Sequence, residues 1–470
     1  MNGRTWRGSA GIGALLATLG ATLATQPALA DSGVSVTLGG FLASEGVYRS
    51  RDEQADIGSS FSGVPFSNAP TGHTSETRFT ARQSRLSLLV QGDFDSDTHF
   101  TLWNEFDFLG AAQTANSNES NSYNLRIRNI YATVDWDSLG LQVLAGQNWS
   151  LLTLGSHGIS PRNEVSPATI DAQYSVGFNW ARQPQLRVTK NWDHQLWLAL
   201  SVENPQTTFA ANSAAAPGIS VTNLAAGGSQ LDKTNNFSLN HIPDVIGKIA
   251  WEPEIGGAQP LHVEAFGIFR SYYDRINVSS ANTLGLLTGI RNSDQTGGGF
   301  GGSITWNAVP HLLDLQGTVM TGQGIGRYGS GQLPDVTFRP DGSLAPVQET
   351  TALAGATLHA SPNFDIYAYL GQEEESAKYF NPGTSHLGLG NPAYNLAGCF
   401  IEGGACSPNL QAERQANVGM WWRPYQARFG NFRLGLQYSY THLTAFAGAG
   451  GRPTTDDSMV FTSIRFYPAF

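Results

Sequence analysis

Along residues 82–108 apolar and polar positions alternate with period two on both sides of a short polar turn. Leu86, Leu88, Val90, Gly92 and Phe94 share one parity, and Arg85, Ser87, Leu89, Gln91 and Asp93 share the other. After Asp95-Ser96-Asp97 the alternation resumes, with Phe100, Leu102, Phe106 and Phe108 opposed by His99, Thr101, Trp103, Glu105 and Asp107. Such a pattern predicts an antiparallel hairpin. With the turn centred on Ser96, Leu86 faces Phe106, Val90 faces Leu102, and Arg85 faces Asp107. One apolar and one polar face fit either a soluble sandwich with the apolar face inward or a membrane barrel with it outward.

The connections separate these two solutions. Alternating runs predict sixteen strands, near 34–49, 78–94, 98–109, 123–135, 140–149, 180–190, 193–203, 244–252, 261–272, 298–307, 312–322, 351–360, 363–372, 413–422, 430–442 and 458–470. Long segments rich in Gly, Ser, Asn, Thr and Pro (50–77, 110–122, 150–179, 204–243, 273–297, 323–350, 373–412 and 443–457) alternate with short turns. A sandwich has no reason to send every second connection to one end as a long loop. An up-and-down outer-membrane barrel does, with short periplasmic turns and long external loops. The expected fold is therefore all-β, a 16-stranded antiparallel transmembrane barrel with both termini on the periplasmic side.

Composition supports the membrane solution. Charged residues make up 14% of the chain, against roughly 25% in ordinary soluble domains. Gly reaches 54, only four lysines occur, and Phe, Tyr and Trp supply the aromatics that such barrels place in girdles. Arg4 and Arg7, an Ala/Leu/Gly run to about Thr25 and the closing Ala28-Leu29-Ala30 make residues 1–30 a cleaved signal peptide. Residues 31–470 then form a single barrel domain, and cleavage takes the formal charge from −10 to −12. This acidic balance disfavours nucleic acid as a partner. The last strand alternates Val460, Thr462, Ile464 and Phe466 and ends on Phe470, which resembles the terminal signature read by the barrel-assembly machinery of Gram-negative bacteria. Pro468 departs from that signature, although proline is tolerated near a strand end.

Several runs resemble the DcaP-like trimeric porins: Arg82-Gln-Ser-Arg-Leu-Ser-Leu88, Gly146-Gln-Asn-Trp-Ser150, Arg182-Gln-Pro-Gln-Leu-Arg-Val-Thr189, Ile242-Pro-Asp-Val-Ile-Gly247 and Gly322-Gln-Gly-Ile-Gly-Arg-Tyr328. They recur in the family's order across about 80–330. The resemblance implies a sixteen-stranded homotrimer that passes small, often anionic, hydrophilic solutes. That family often carries a coiled-coil segment before the first strand, whereas here Val34 follows the expected cleavage site almost directly.

If the apolar parity faces lipid, the other parity lines water. It carries Arg85, Glu105, Asp107, Arg126, Arg128, Arg187, Arg433 and Arg465. Arginine stays ionised and offers a planar fork to anions, so these are candidate pore-lining residues. Their charges would equally keep a wetted wall solvated by pairing with one another. The segment from Leu151 to Asp171 starts Leu-rich, unlike a surface loop, and carries Arg162 and Glu164. It is the third long loop, the one that folds inward and narrows the channel in porins. Cys399 and Cys406, seven apart in a Gly/Asn/Pro-rich segment, are expected to form a loop disulfide.

No metal or cofactor is expected, because the histidines are scattered and neither His386 nor His442 has ligand spacing with the cysteines. Gly297-Gly-Gly-Phe-Gly-Gly302 contains G-x-G-x-x-G, but Ile304-Thr-Trp306 continues it as strand and not as helix. It reads as a small-residue patch of the wall. G-x-S-x-G and H-E-x-x-H are absent from the sequence. The sequence thus predicts an outer-membrane porin in contact with lipid and lipopolysaccharide, not an enzyme. The alternatives are an outer-membrane hydrolase and a surface-binding, adhesin-like barrel using the long 373–412 loop. A receptor with an N-terminal plug fits less well, since no plug domain precedes Val34.

Overall fold

The computed structural model describes residues 33–110, 124–210, 215–255, 260–280, 284–285 and 288–469. The expected leader (1–30) and most of the second long connection (110–122) lie outside the described residues. Among the described residues sixteen long antiparallel strands close into a barrel. They are β1 (Val34–Arg49), β2 (Arg85–Asp93), β3 (Thr98–Asp107), β4 (Arg126–Trp136), β5 (Leu141–Trp149), β6 (Arg182–Trp192), β7 (Leu196–Glu203) and β8 (Asp244–Trp251). Then follow β9 (Leu261–Val278), β10 (Gly289–Val309), β11 (Leu313–Gln323), β12 (Gln348–Ser361), β13 (Phe364–Glu375), β14 (Leu410–Ala427), β15 (Gly430–Ala445) and β16 (Thr454–Pro468).

Closure is made by β1. Its first half pairs with β2 from Val34↔Gly92 to Phe41↔Arg85, and its second half pairs with β16 from Leu42↔Phe466 to Arg49↔Met459. Closing the ring leaves no edge, the condition for a sheet to sit in hydrocarbon. The exposed parity is apolar all round: Leu42, Leu86, Leu102, Ile130, Leu200, Ile249, Phe300, Leu370, Val418 and Ile464 face out. Trp192, Trp251, Trp306 and Trp422 are exposed at strand ends beside the short turns, as an interfacial girdle requires. The β2–β3 register is the expected one, with Leu86↔Phe106, Val90↔Leu102 and Arg85↔Asp107. No described helix is long and apolar enough to cross a membrane.

Two expectations need correction. The run 78–94 is not one strand: a short strand, Glu76–Thr80, pairs with the upper half of β1, and the chain turns at 81–84 before β2 begins. There Ser84 Oγ accepts the Ala43 amide hydrogen bond at 2.9 Å, and Gln83 donates to the Ile170 carbonyl at 2.7 Å. These side-chain bonds to backbone outcompete the sheet ladder. The segment 273–297 is likewise not an irregular loop, because β9 and β10 stay paired out to Val278↔Gly289.

The third loop (150–181) folds into the lumen. Leu151, Leu152 and Ile159 pack with Trp197, Ile246 and Phe266 on one wall. Ile170, Tyr174 and Phe178 pack with Tyr367, Trp421 and Phe461 on the opposite wall. Hydrogen bonds fix the crossing: Trp421 Nε1 donates to the Ala168 carbonyl at 2.8 Å, and Gln415 accepts from the Val176 amide at 3.1 Å. The sixth loop (324–347) also turns inward and buries Ile325, Tyr328, Leu333 and Val336 completely or nearly so. The glycine run of β10 makes room for inward rings, since a side chain at Gly297 would strike Tyr272 and one at Gly301 would strike Phe266.

Candidate functional site

Strands β2, β3 and β4 and the third loop bring most of the charged candidates together inside the lumen. On β4 the register with β3 slips between Glu105↔Asn129 and Phe106↔Ile127, so Arg128 is the extra residue of a β-bulge. The bulge turns Arg128 and Asn129 inward together while Ile127 and Ile130 stay outside. Asp107 accepts from Arg126 through both oxygens, at 2.9 and 2.7 Å, and from Arg128 Nη1 at 3.1 Å. Arg128 Nε bonds Glu105, and Arg128 Nη2 donates to the Tyr174 hydroxyl of the third loop at 3.0 Å. Arg85 therefore does not pair with Asp107, its register partner. Its nearest carboxylate is Glu105 at 3.8 Å, and it lies over the Phe41 ring at 5.2 Å. Gly40, at φ +126, allows β1 to pass there, since a Cβ would fall 2.1 Å from the Arg85 carbonyl oxygen.

Arg465 extends this surface. It donates to Glu45 at 2.9 and 2.6 Å and to Gln83 at 2.9 Å, and lies between the rings of Phe41 and Trp421. Arg182 stacks on Trp149 and Trp180 at 5.0 and 5.2 Å. The cluster thus holds five guanidinium groups (Arg85, Arg126, Arg128, Arg182, Arg465) against three carboxylates (Glu45, Glu105, Asp107). Its net charge is positive. Burial raises the Tyr174 phenol, but Arg128, Arg182 and Arg85 outweigh burial and bring it down to about 8.

Two cavities of the lumen meet here among the described residues. The larger, about 720 Å³, opens beside the short turns and is lined by His359, Asp365, Arg423 and Arg433. The smaller, about 320 Å³, lies between the third loop and the β3–β5 wall. Arg85, Glu105, Arg128, Ser166 and Tyr174 line both, and so form the eyelet between them.

The other residues singled out from the sequence fall at various distances from it. Arg162 and Glu164 line the smaller cavity; Arg162 sits at φ +73 with its guanidinium over Trp103 at 5.9 Å. Burial pushes the Glu164 carboxyl up, with Arg187 opposing. Arg187 itself bonds Gln185 at 3.1 Å and the Trp149 carbonyl at 2.6 Å and lines neither cavity. Arg433 lies in the larger cavity over Tyr467, at 4.2 Å. Cys399 and Cys406 are joined by a disulfide in the seventh loop, far in sequence from the eyelet strands. Tyr174, Arg182, Glu45 and Gln83 were not singled out from the sequence. Parity within β1, which puts Phe41, Ala43, Glu45 and Val47 on one face, is the signal that could have found Glu45. No group of three described His, Cys, Asp or Glu residues is placed to hold a metal ion.

No family model and no curated protein matches the sequence. Solved structures do. The outer membrane channel DcaP of Acinetobacter baumannii is 18% identical, over 93% of this chain and 98% of that one, with a TM-score of 0.63. An anion-selective porin from Comamonas acidovorans is 10% identical over 92% and 99% of the two chains, with a TM-score of 0.48. OmpF of Salmonella typhi, in complex with daunomycin, is 11% identical over 93% and 99%, with a TM-score of 0.47. Taken with the apolar exterior and the closed ring of strands, the likeness to DcaP shows that the chain has the fold of an outer-membrane channel.

Proposed function

We propose that the protein is a passive diffusion porin for small hydrophilic solutes and favours anionic ones such as carboxylates. The observation that carries this reading is the cationic cluster around the eyelet, where five arginines meet three carboxylates and Arg85, which lines the passage with Arg128, is left with one carboxylate at 3.8 Å. A solute anion meets a wall of fixed guanidinium groups that holds it weakly enough to release it down its gradient. No cofactor enters this scheme. We further propose export through the 1–30 leader and assembly as a homotrimer embedded in lipid and lipopolysaccharide.

Planar-bilayer recording tests the reading. Expected are three equal ohmic conductance steps and, in a potassium chloride gradient, a reversal potential of the sign for chloride. Lipid or peptide hydrolysis without conductance would overturn it in favour of an outer-membrane hydrolase. A cation-selective reversal potential would overturn the anionic preference alone.

A further inference from the structure

The larger cavity holds one cation that its acids leave free. Seven basic side chains line it, and six of them have a carboxylate at ion-pair distance. Arg128 is shared by Glu105 and Asp107, Arg465 is bonded to Glu45, and Arg423 grips both oxygens of Asp365 at 2.6 and 3.0 Å. Arg85 has Glu105 at 3.8 Å, and His262 and His359 each lie between two carboxylates. Arg433, the seventh, has none among the described residues. Its hydrogen bonding there is confined to Nε, which donates to Asn431 Oδ1 at 3.3 Å. The two terminal nitrogens are neither bonded among the described residues nor buried, so they face the water of the cavity. In the β15–β16 register Arg433 stands directly opposite Arg465, a placing of like charges that is unfavourable until an anion screens it.

Resting on the porin reading above, we propose that Arg433 is a second anion site, set between the eyelet and the mouth at the short turns, that captures anions on that side of the channel. Its place in the chain supports this, since β15 begins at Gly430, directly after a short turn. The guanidinium lies over the Tyr467 ring at 4.2 Å, and Tyr467 packs on Phe41, the ring on which Arg85 rests. Two rings therefore separate this site from the eyelet. Stacking fixes the plane of the guanidinium and leaves its edge as a fork for anionic oxygens. An anion held there is bound by one charge in water, weakly enough to be passed on or released. Arg85 and Arg128 act on an anion within the eyelet. Arg433 sets how often one reaches it from the short-turn side, because a fixed charge at a mouth raises the local concentration of counter-ions.

The test uses the whole protein in a planar bilayer at about 0.1 M potassium chloride, where charges are screened over about 10 Å. Citrate is added to one chamber at a time, and its association rate is read from interruptions of the current. Arg433→Gln should lower the rate from one chamber roughly fivefold, the worth of a single contact charge in water. The rate from the other chamber should not change. Arg433→Lys, which keeps the charge, should restore most of the loss. Arg433→Met, which keeps the contact with Tyr467, is a second neutral variant and should repeat it. A neutral variant that blocks at wild-type rates from both chambers overturns the proposal. Equal losses from both chambers overturn it as well, since a charge felt alike from either side belongs to the eyelet. Absence of any conductance in chloride overturns the porin reading itself, an outcome distinct from conductance without a one-sided loss.

Discussion

The two charged walls of the lumen are built in opposite ways. On β2–β4 unlike charges alternate, so that Arg126, Arg128 and Arg85 share Asp107 and Glu105 and the surplus is cationic. On β12–β14 acidic side chains face each other directly across the strands, Glu349↔Glu375 and Glu373↔Glu413, and all four are buried. Both oxygens of Glu349, Glu375 and Glu413 lack hydrogen-bond partners among the described residues. Glu373 alone is satisfied, accepting from the Gly177 amide of the third loop at 2.7 Å and from Gly331 of the sixth at 3.1 and 3.0 Å. The difference assigns the walls different work. Arg85 and Arg128 of the arginine wall border both cavities, where the proposed solute path runs; the glutamate wall is buried beneath two loops, which Glu373 fastens through backbone donors.

Removing Arg128, the hub of the arginine wall, should have the largest effect. Arg128→Ala leaves Glu105 and Asp107 buried with only Arg85 and Arg126 nearby. Removing one partner of such a buried network costs about 3–5 kcal/mol. The urea midpoint of the folded barrel should fall accordingly, with the reversal potential shifting toward cations in whatever fraction still inserts. An unchanged midpoint would mean that the ion pairs are ornamental.

Gly331→Ala strikes the other wall. A methyl group there would lie 2.1 Å from Glu413 Oε2 and 2.8 Å from Glu373 Oε2, so these carboxyl groups must swing aside and the bond from the Gly331 amide to Glu373 that ties the sixth loop to β13 is lost. Overpacking of this kind costs roughly 1–3 kcal/mol. Single-channel conductance should rise as the loop leaves the lumen. Should conductance stay at the wild-type level, the sixth loop does not fill the conducting path.

A third expectation concerns pH. The Tyr174 phenol is held at about 8 by the neighbouring arginines, below its ordinary value near 10. Raising pH through 8 thus adds a negative charge at the eyelet. Anion permeability should fall between pH 7 and 9, and Tyr174→Phe should flatten that profile. Stability runs the other way: a lowered folded-state value favours the fold as pH rises from 8 toward 10, and that gain is lost on returning below 8. A wild-type permeability that is flat over this range would remove Tyr174 from the eyelet's electrostatics.

Which of these features the sequence made legible follows from their physical range. Period-two alternation is local, so the sixteen strands, the outward Leu86 and Leu102 and the inward Arg85 and Glu105 could be read directly. So could the inward third loop, because Leu151 and Leu152 are out of place on a surface. The bulge at Arg128 could not, since Arg126 and Arg128 share a parity that hides the slip between them. The break at 81–84 was hidden for a similar reason: Arg82-Gln-Ser-Arg continues the polar pattern, and only the contacts of Ser84 with Ala43 and of Gln83 with Ile170 reveal the turn. The sixth loop looked external because its Gly- and Ser-rich composition suits a surface. Those glycines are instead what lets backbone come within reach of Glu373 and Glu413.

The smallest effect probes whether the glutamate wall is strained by its own charge. Directly opposed like charges on neighbouring strands are unfavourable, by roughly 0.2–1 kcal/mol per pair. Glu413→Gln keeps the shape of the side chain and removes whatever charge Glu413 carries beside Glu373, together with the cost of holding a carboxyl group there without a partner, so it should raise the urea midpoint slightly. The same change on the other wall, Glu105→Gln, takes a counter-charge from Arg128 and Arg85 and should lower it. Opposite signs from one chemical substitution at two inward positions would establish that the walls differ in kind. If both variants lose stability equally, the four glutamates hold a favourable arrangement of their own, and it is the glutamate wall whose description must change.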